Sequence, residues 1–243
     1  TWEAATTDEG GDWVQISDVS VVGEEVVAVG SRLEDETFVP LAWRSTDGLV
    51  WEELELPGPD ADDHAHLPGR IHEAGGEVLV TGTTAVDIDW RENGGYSYGV
   101  RTMLLAGERL EDLTVVDEAF DEGTSGTMQA VFVEDGAAVL AGSYSVIEDE
   151  VHRGVPELWR RTSDGVASTV LDDLGDSTRI SVAVDVGDHR VLAGGTWIGG
   201  TESIAVLSDA GGDWARLPHD RAVLEGDEPR QVLAGAALGD TAV

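Results

Sequence analysis

The sequence contains no cysteine and no lysine. Without cysteine it forms no disulfide framework, thiolate metal site or cysteine nucleophile. Its 14 basic residues are all arginine, against 49 Asp and Glu, and the formal net charge is -35. Binding to a nucleic acid backbone or an anionic membrane needs a cationic footprint, so this charge excludes sequence-independent contact with either. No apolar run reaches the roughly 18 residues that span a bilayer. We therefore expect no nucleic acid partner and no membrane insertion.

A sustained apolar period of 3.6 residues is also missing, which predicts little helix. With 41% hydrophobic residues, the 243-residue chain has enough apolar material for a core. Acidic residues concentrate in turns such as 34–36 and 148–150, which predicts a solvated acidic shell around apolar strands. The chain opens with Thr1 and Trp2 rather than Met. We interpret it as a processed piece of an exported bacterial protein, extracellular or on the cell surface, and expect a monomer.

A short β-prone motif that ends in glycine recurs five times. The glycines are Gly30, Gly82, Gly142, Gly194 and Gly235. A turn signal precedes each motif, and an apolar residue stands eleven positions before each glycine: Val19, Ile71, Val131, Ala183 and Leu224. This pattern predicts a strand, a tight turn and a second strand in every repeat.

Further apolar runs add a third and a fourth strand to each repeat, which is typical of a propeller blade. We therefore expect an all-β fold with one domain over 1–243, a five-bladed β-propeller of four-stranded antiparallel blades. The expected blades are 13–58, 66–120, 124–175, 176–218, and 219–243 together with 1–8. The N-terminal strand would complete the C-terminal blade and so remove an open sheet edge.

The segment Ser45-Thr46-Asp47-Gly48-Leu49-Val50-Trp51 resembles the Asp-box, or bacterial neuraminidase repeat, of sialidase-like β-propellers. Weaker versions lie at 162–168 and 208–214. In such a turn we expect the Ser and Asp side chains to bind backbone amides, and the Trp to begin a fourth strand. The resemblance implies the fold rather than sialidase activity. The Arg-Ile-Pro signature of sialidases is absent, and the run 69–72, Gly-Arg-Ile-His, lacks the Pro.

Candidate channel residues flank the aligned apolar positions, because the first strands of a propeller line its central channel. They are Asp18, Ser20, Arg70, His72, Ala130, Phe132, Val182, Val184, Val223 and Glu225. A glycosidase needs two carboxyl groups roughly 5 to 10 Å apart. Asp18 and Glu225 are the candidate catalytic pair. Alternatively, they are channel charges neutralised by arginine or water.

A histidine-rich acidic stretch, 60–66, is predicted to form a loop at the channel mouth. Its candidate metal ligands are Asp62, His64 and His66, since imidazole and carboxylate together suit a divalent metal ion. The spacing matches no established motif, and a solvated acidic loop is the alternative.

Aromatic side chains mark two further predicted loops. The segment 83–100 carries Trp90, Tyr96 and Tyr98, and Trp197 holds the matching position of the fourth repeat. Flat aromatic rings suit a carbohydrate or protein contact, so these residues join Arg70 and His72 as binding candidates. They could equally pin their loops to the blade edge.

The expected function is a non-catalytic binding or scaffold propeller with a glycan or protein ligand. The alternatives are a glycoside hydrolase or lyase with carboxylates at the channel, and a metal-assisted hydrolase built on His64, His66 and His72. A pocket of converging carboxylates favours an enzyme, whereas a plugged channel with exposed aromatic residues favours a binding module.

Overall fold

The computed structural model describes residues 13–34, 37–58, 65–90, 96–116, 125–148, 151–162, 165–171, 178–186, 189–198, 201–209, 214–216, 237–238 and 241–242. Throughout these residues the chain is all-β apart from one short 3-10 turn. It divides into two compact units, 1–122 and 123–243, which are described separately. Among the described residues, no helix is long and apolar enough to cross a membrane.

The first unit contains two four-stranded antiparallel sheets. Strands β1 (Trp13–Val22), β2 (Glu25–Glu34), β3 (Thr37–Ser45) and β4 (Glu52–Glu55) form one sheet in sequential order. Strands β5 (Ala65–Ala74), β6 (Glu77–Trp90), β7 (Tyr96–Gly107) and β8 (Thr114–Val115) form the other, with the 3-10 turn Leu110–Asp112 before β8. This up-and-down order is that of a propeller blade.

The second unit repeats the same sheet order. Its sheets are β9 (Ser125–Glu134), β10 (Ala137–Glu148), β11 (Val151–Thr162) and β12 (Gly165–Val170), and then β13 (Thr178–Val186), β14 (His189–Ile198), β15 (Thr201–Asp209) and β16 (Trp214–Arg216). Strands β17 (Ala237–Leu238) and β18 (Thr241–Ala242) form a two-stranded sheet. The four-stranded antiparallel architecture is thereby confirmed for four sheets, whereas the predicted count of five blades is not.

Each unit buries a core between its two four-stranded sheets. In the first unit, Val27, Val29 and Ala42 pack against Ile71, Val80 and further apolar residues of β5–β8. In the second, Ala130, Phe132 and Val139 pack against Ile180 and Leu192. Fully burying one side chain of the Val, Leu, Ile or Phe type contributes about 1.5–3 kcal/mol, so these faces hold the sheets together.

In the first four repeats, the recurring glycine lies opposite a β-bulge in the first strand. Gly30, Gly82, Gly142 and Gly194 stand beside the bulged residues 17, 69, 129 and 181, which the pairing skips. A Cβ atom on these glycines would lie 1.9, 2.3, 1.9 and 1.7 Å from a backbone oxygen of the first strand. Any side chain there would collide with the backbone, which explains why the motif ends in glycine.

The turn after β3 has the hydrogen bonds expected of the Ser45–Trp51 segment. The Ser45 Oγ accepts from the Gly48 amide at 2.8 Å, and Asp47 Oδ1 accepts from the amides of Leu49 and Val50 at 2.8 and 3.0 Å. These backbone bonds hold the pKa of the Asp47 carboxyl below its usual value, with the Val50 amide the largest contribution. In the weaker version at 162–168, Gly165 pairs with Thr162 as the first residue of β12, and residues 163–164 lie outside the described residues.

Candidate functional site

Two charged residues directly follow the bulges of the first unit. Asp18 comes after the bulge of β1, and Arg70 after the bulge of β5. The matching residues of the second unit, Ala130 and Val182, are apolar and buried. Bulges commonly re-aim side chains beside active sites. The first unit therefore has an acidic and a basic side chain at positions where the second unit has apolar core side chains.

Asp18 joins the first strands of the two sheets. Its Oδ2 accepts a hydrogen bond from the backbone N–H of Ile71 at 3.1 Å, and its Oδ1 lies 3.7 Å from the Arg70 Nη1. The Asp18 side chain is 19% exposed, and that of Arg70 is 39% exposed. Asp18 and Arg70 therefore form an ion pair between the first strands of the two sheets. The carboxylate is anchored by a backbone amide and keeps contact with solvent.

A second tie fixes the hairpin that carries Asp18. The Glu73 Oε2 accepts a hydrogen bond at 2.5 Å from the amide of Gly23, in the turn between β1 and β2. Gly23 has a φ of 59°, a left-handed conformation that glycine adopts without strain. Two carboxylate-to-amide bonds therefore hold β1 against β5, one at the turn and one near the bulge.

His72 lies on the same side of β5 as Arg70, two residues along the strand. Its Nε2 is buried and has no hydrogen-bond partner among the described residues. Burial lowers the pKa of His72 to about 4; the Asp18 charge opposes this shift, and the Arg70 charge adds to it. The imidazole is therefore uncharged at neutral pH. Between Arg70 and His72, Ile71 points into the core and is 1% exposed.

The matching position of the second unit is filled differently. Phe132 takes the place of His72 and is buried, with the guanidinium of Arg190 4.0 Å from its ring centroid. Arg190 is itself paired with Asp185 at 2.7 Å. This arrangement is a packed cation–π contact. The described first strands of the second unit therefore hold no polar cluster like that of Asp18, Arg70 and His72.

The predicted metal loop is only partly within the described residues. Asp62 and His64 lie outside them, as does Glu225. His66 belongs to β5 rather than to a loop, is 3% exposed, and has its Nδ1 2.8 Å from the Pro57 carbonyl oxygen. The expectation of a loop at this residue was wrong, because β5 already starts at Ala65. In the described part of the chain, no three His, Asp or Glu residues are grouped as metal ligands.

The predicted aromatic loops are strands. Residues 83–90 belong to β6 and residues 96–100 to β7, Trp90 pairs with Tyr96, and Tyr98 lies in β7. Trp197 lies in β14 and pairs with Glu202 of β15. The loop expectation was wrong because β-branched and aromatic residues recur along both arms, and these favour strands over loops.

Glu157 is a buried acidic residue that the sequence analysis did not identify. Glu157 pairs with Gly142 in β11, where Leu41 and Met103 occupy the matching positions opposite Gly30 and Gly82. It is 6% exposed. Burial raises the pKa of the Glu157 carboxyl, and a hydrogen bond with Ser168 offsets part of this. Aligning the third strands shows a carboxyl group in the third repeat where the first two repeats have a buried apolar side chain.

Comparison with known proteins finds solved structures of similar fold. No protein-family model and no curated protein matches the sequence. A glycosyl hydrolase from Bacteroides ovatus is 12% identical with a TM-score of 0.49, and the match covers 93% of this chain and 78% of that chain. A second structure comes with the description that the GH130 family of mannoside phosphorylases contains glycoside hydrolases that target β-1,2 mannosidic linkages. It is 12% identical with a TM-score of 0.48, and the match covers 93% of this chain and 78% of that chain.

A third similar structure is a GH43 β-xylosidase/α-arabinofuranosidase from a compost microbial metagenome. It is 10% identical with a TM-score of 0.45, and the match covers 85% of this chain and 77% of that chain. All three are described as glycoside hydrolases or glycosidases, and none as a sialidase. This finding corrects the expectation of a non-catalytic binding or scaffold propeller, which we do not retain. Identities this low transfer no activity to this chain.

Proposed function

We propose that the chain is a glycoside-processing enzyme in which Asp18 is a catalytic carboxylate. The observation that carries the proposal is the hydrogen bond from the Ile71 amide to Asp18 Oδ2, which holds a partly exposed carboxylate next to Arg70. Glycoside hydrolysis passes through an oxocarbenium-like transition state, which an anchored carboxylate stabilises or attacks. Asp18 is suited to that role.

The backbone anchor matters for the chemistry because it removes rotational freedom from the carboxylate. A group already held in position loses less entropy on reaching the transition state. The Asp18 side chain is also mostly shielded from water, which strengthens its attraction for a developing positive charge. The Oδ1 of Asp18 lies 3.7 Å from the Arg70 Nη1, which is too long for a hydrogen bond, so Oδ1 can still accept one from a sugar hydroxyl.

A glycosidase needs a second carboxyl group to protonate the leaving oxygen or activate water. Glu225 is the residue that the alignment of first strands offers for this role, and it stays a prediction. The five-bladed closure by the N-terminal strand, the Asp-box family and the export of the protein are likewise proposals. Support for five blades comes from four sheets of one strand order and from a fifth copy of the glycine motif at 231–235.

A panel of chromogenic glycosides tests this proposal directly. Turnover of at least one glycoside is expected, with kcat reduced about 100-fold or more in Asp18→Asn and in Glu225→Gln. Asp112→Asn is the matched control, since Asp112 is an exposed carboxylate paired with Arg109 at 2.8 Å. The control should retain wild-type activity. Absence of turnover across the panel, or full activity of Asp18→Asn, would overturn the proposed function.

A further inference from the structure

Asp18, Arg70 and His72 form a polar cluster, and the imidazole of His72 contains a nitrogen atom that lacks a hydrogen-bond partner within the described ranges. Its Nε2 is buried with no hydrogen-bond partner among the described residues. A buried nitrogen without a partner is destabilising, and such an atom in a native structure calls for an explanation, such as a functional role or a bound molecule. Arg70 is on the same side of β5, and Asp18 contacts that strand from β1. The orphan atom thus belongs to the polar cluster rather than to the apolar core.

The charges around His72 favour an uncharged partner. Asp18 and Arg70 have opposite signs and lie 3.7 Å apart, so together they are close to neutral. His72 adds no charge at neutral pH, because its pKa is about 4. The whole chain has a net charge of -35. A carboxylate-bearing sugar would therefore meet a repulsive field without a free cation to offset it.

Hydroxyl groups satisfy this cluster better than a charged group does. A sugar hydroxyl both donates and accepts, so it can pair with an imidazole nitrogen in either tautomer. Neighbouring hydroxyls of the same ring can donate to the free oxygen of Asp18 and accept from the partly exposed guanidinium of Arg70. These bonds leave no buried polar atom of the cluster unpaired.

We propose that His72 is a specificity-determining residue that binds a hydroxyl group of an uncharged sugar through Nε2, next to the Asp18–Arg70 pair. The inference rests on the proposed function, because it names the substrate class of that same site. It concerns recognition and not the chemical step. Loss of the imidazole should raise KM much more than it lowers kcat.

Monodeoxy glycosides provide the test. For a glycoside that the wild type cleaves, each hydroxyl is removed in turn and kcat/KM is measured for the wild type and for His72→Phe. One deoxy substrate should lose about tenfold or more with the wild type, and this loss should vanish in His72→Phe. His72→Gln, which keeps a polar group near the Nε2 position, should restore part of it. His72→Leu is prepared in parallel so that a folding defect of the Phe variant does not end the experiment.

Leu105→Val is the packing control, because Leu105 is buried in the core of the first unit and lies in β7 rather than in β5. It should keep the full deoxy penalty. Equal penalties in the wild type and in His72→Phe, or a preference for uronides over the parent glycosides, would overturn the inference and leave the proposed function standing. Failure of the wild type to cleave any glycoside would refute the proposed function instead, and the role of His72 with it.

Discussion

The carboxylate of Asp18 accepts a hydrogen bond from the backbone N–H of Ile71, 53 residues further along the chain. The bond links the first strands of two neighbouring sheets. It also fixes the orientation of the carboxylate to which we assign a catalytic role. We therefore expect Asp18 to contribute both to the stability of the fold and to activity, and substitutions can separate the two contributions.

Replacing Asp18 by Asn and by Ala separates the two roles. Asn keeps an acceptor for the Ile71 amide, whereas Ala leaves a partly buried N–H without one. We expect Asp18→Ala to lower the free energy of unfolding by about 1–3 kcal/mol, and Asp18→Asn to lower it less. Urea denaturation followed by circular dichroism measures both. Equal losses in the two variants would mean that the amide bond contributes nothing.

Substituting the recurring glycines tests the bulge. Gly30→Ala and Gly142→Ala each place a Cβ atom 1.9 Å from a backbone oxygen, so the first strand must move. A loss of stability of about 3 kcal/mol is expected for each. Gly58→Ala is the control, because a Cβ there meets no atom within 4 Å. A Gly30 variant as stable as the Gly58 variant would contradict the geometry of the bulge.

The buried imidazole of His72 should make stability depend on pH. Its pKa is about 4 in the folded protein and near 6.5 when unfolded, so the unfolded state binds a proton first as the pH falls. Stability from this group is complete above pH 6.5, declines between pH 6.5 and 4, and is reduced by about 3 kcal/mol below that range. His72→Phe should flatten this part of the curve of unfolding free energy against pH. An unchanged curve would show that His72 titrates normally.

Glu157 should act in the opposite direction. Burial raises the pKa of its carboxyl in the folded state, so stability declines as the pH rises from the unfolded value of 4.5 to the folded pKa, and then levels off. Glu157→Gln removes the charge but keeps the shape, and it should be more stable than the wild type at pH 7. Glu55→Gln, on an exposed position of β4, should leave stability unchanged. Destabilisation by Glu157→Gln at pH 7 would contradict this account.

The hairpins were predictable from the sequence because their signals are local. A two-residue turn and the glycine opposite the bulge lie close together in the chain, and Gly75 and Gly76 mark one such turn with φ values of 63° and 82°. The long hairpin of β6 and β7 was missed because the glycine pair at 94–95 suggested a loop that includes its flanks. Local turn chemistry does not tell how far the strands continue to pair.

The sequence predicted which residues belong to the candidate site, but not the contacts between them. Asp18, Arg70 and His72 were placed on first strands by alignment, but the bond from Asp18 to the Ile71 amide depends on how two sheets pack. The low pKa of His72 likewise follows from burial, which three-dimensional packing creates. The buried position of His66 and its contact with Pro57 arise in the same way.

The sequential strand order has a consequence for the course of folding. Every ladder within the four-stranded sheets joins strands that are neighbours in the chain, so most β pairing closes short loops at a small entropy cost. The bond between Asp18 and Ile71 closes a loop of 53 residues and joins two sheets, so we expect it to form after the hairpins of both sheets. The site of the first unit is therefore expected to be the last part of that unit to assemble and the first to be lost on unfolding.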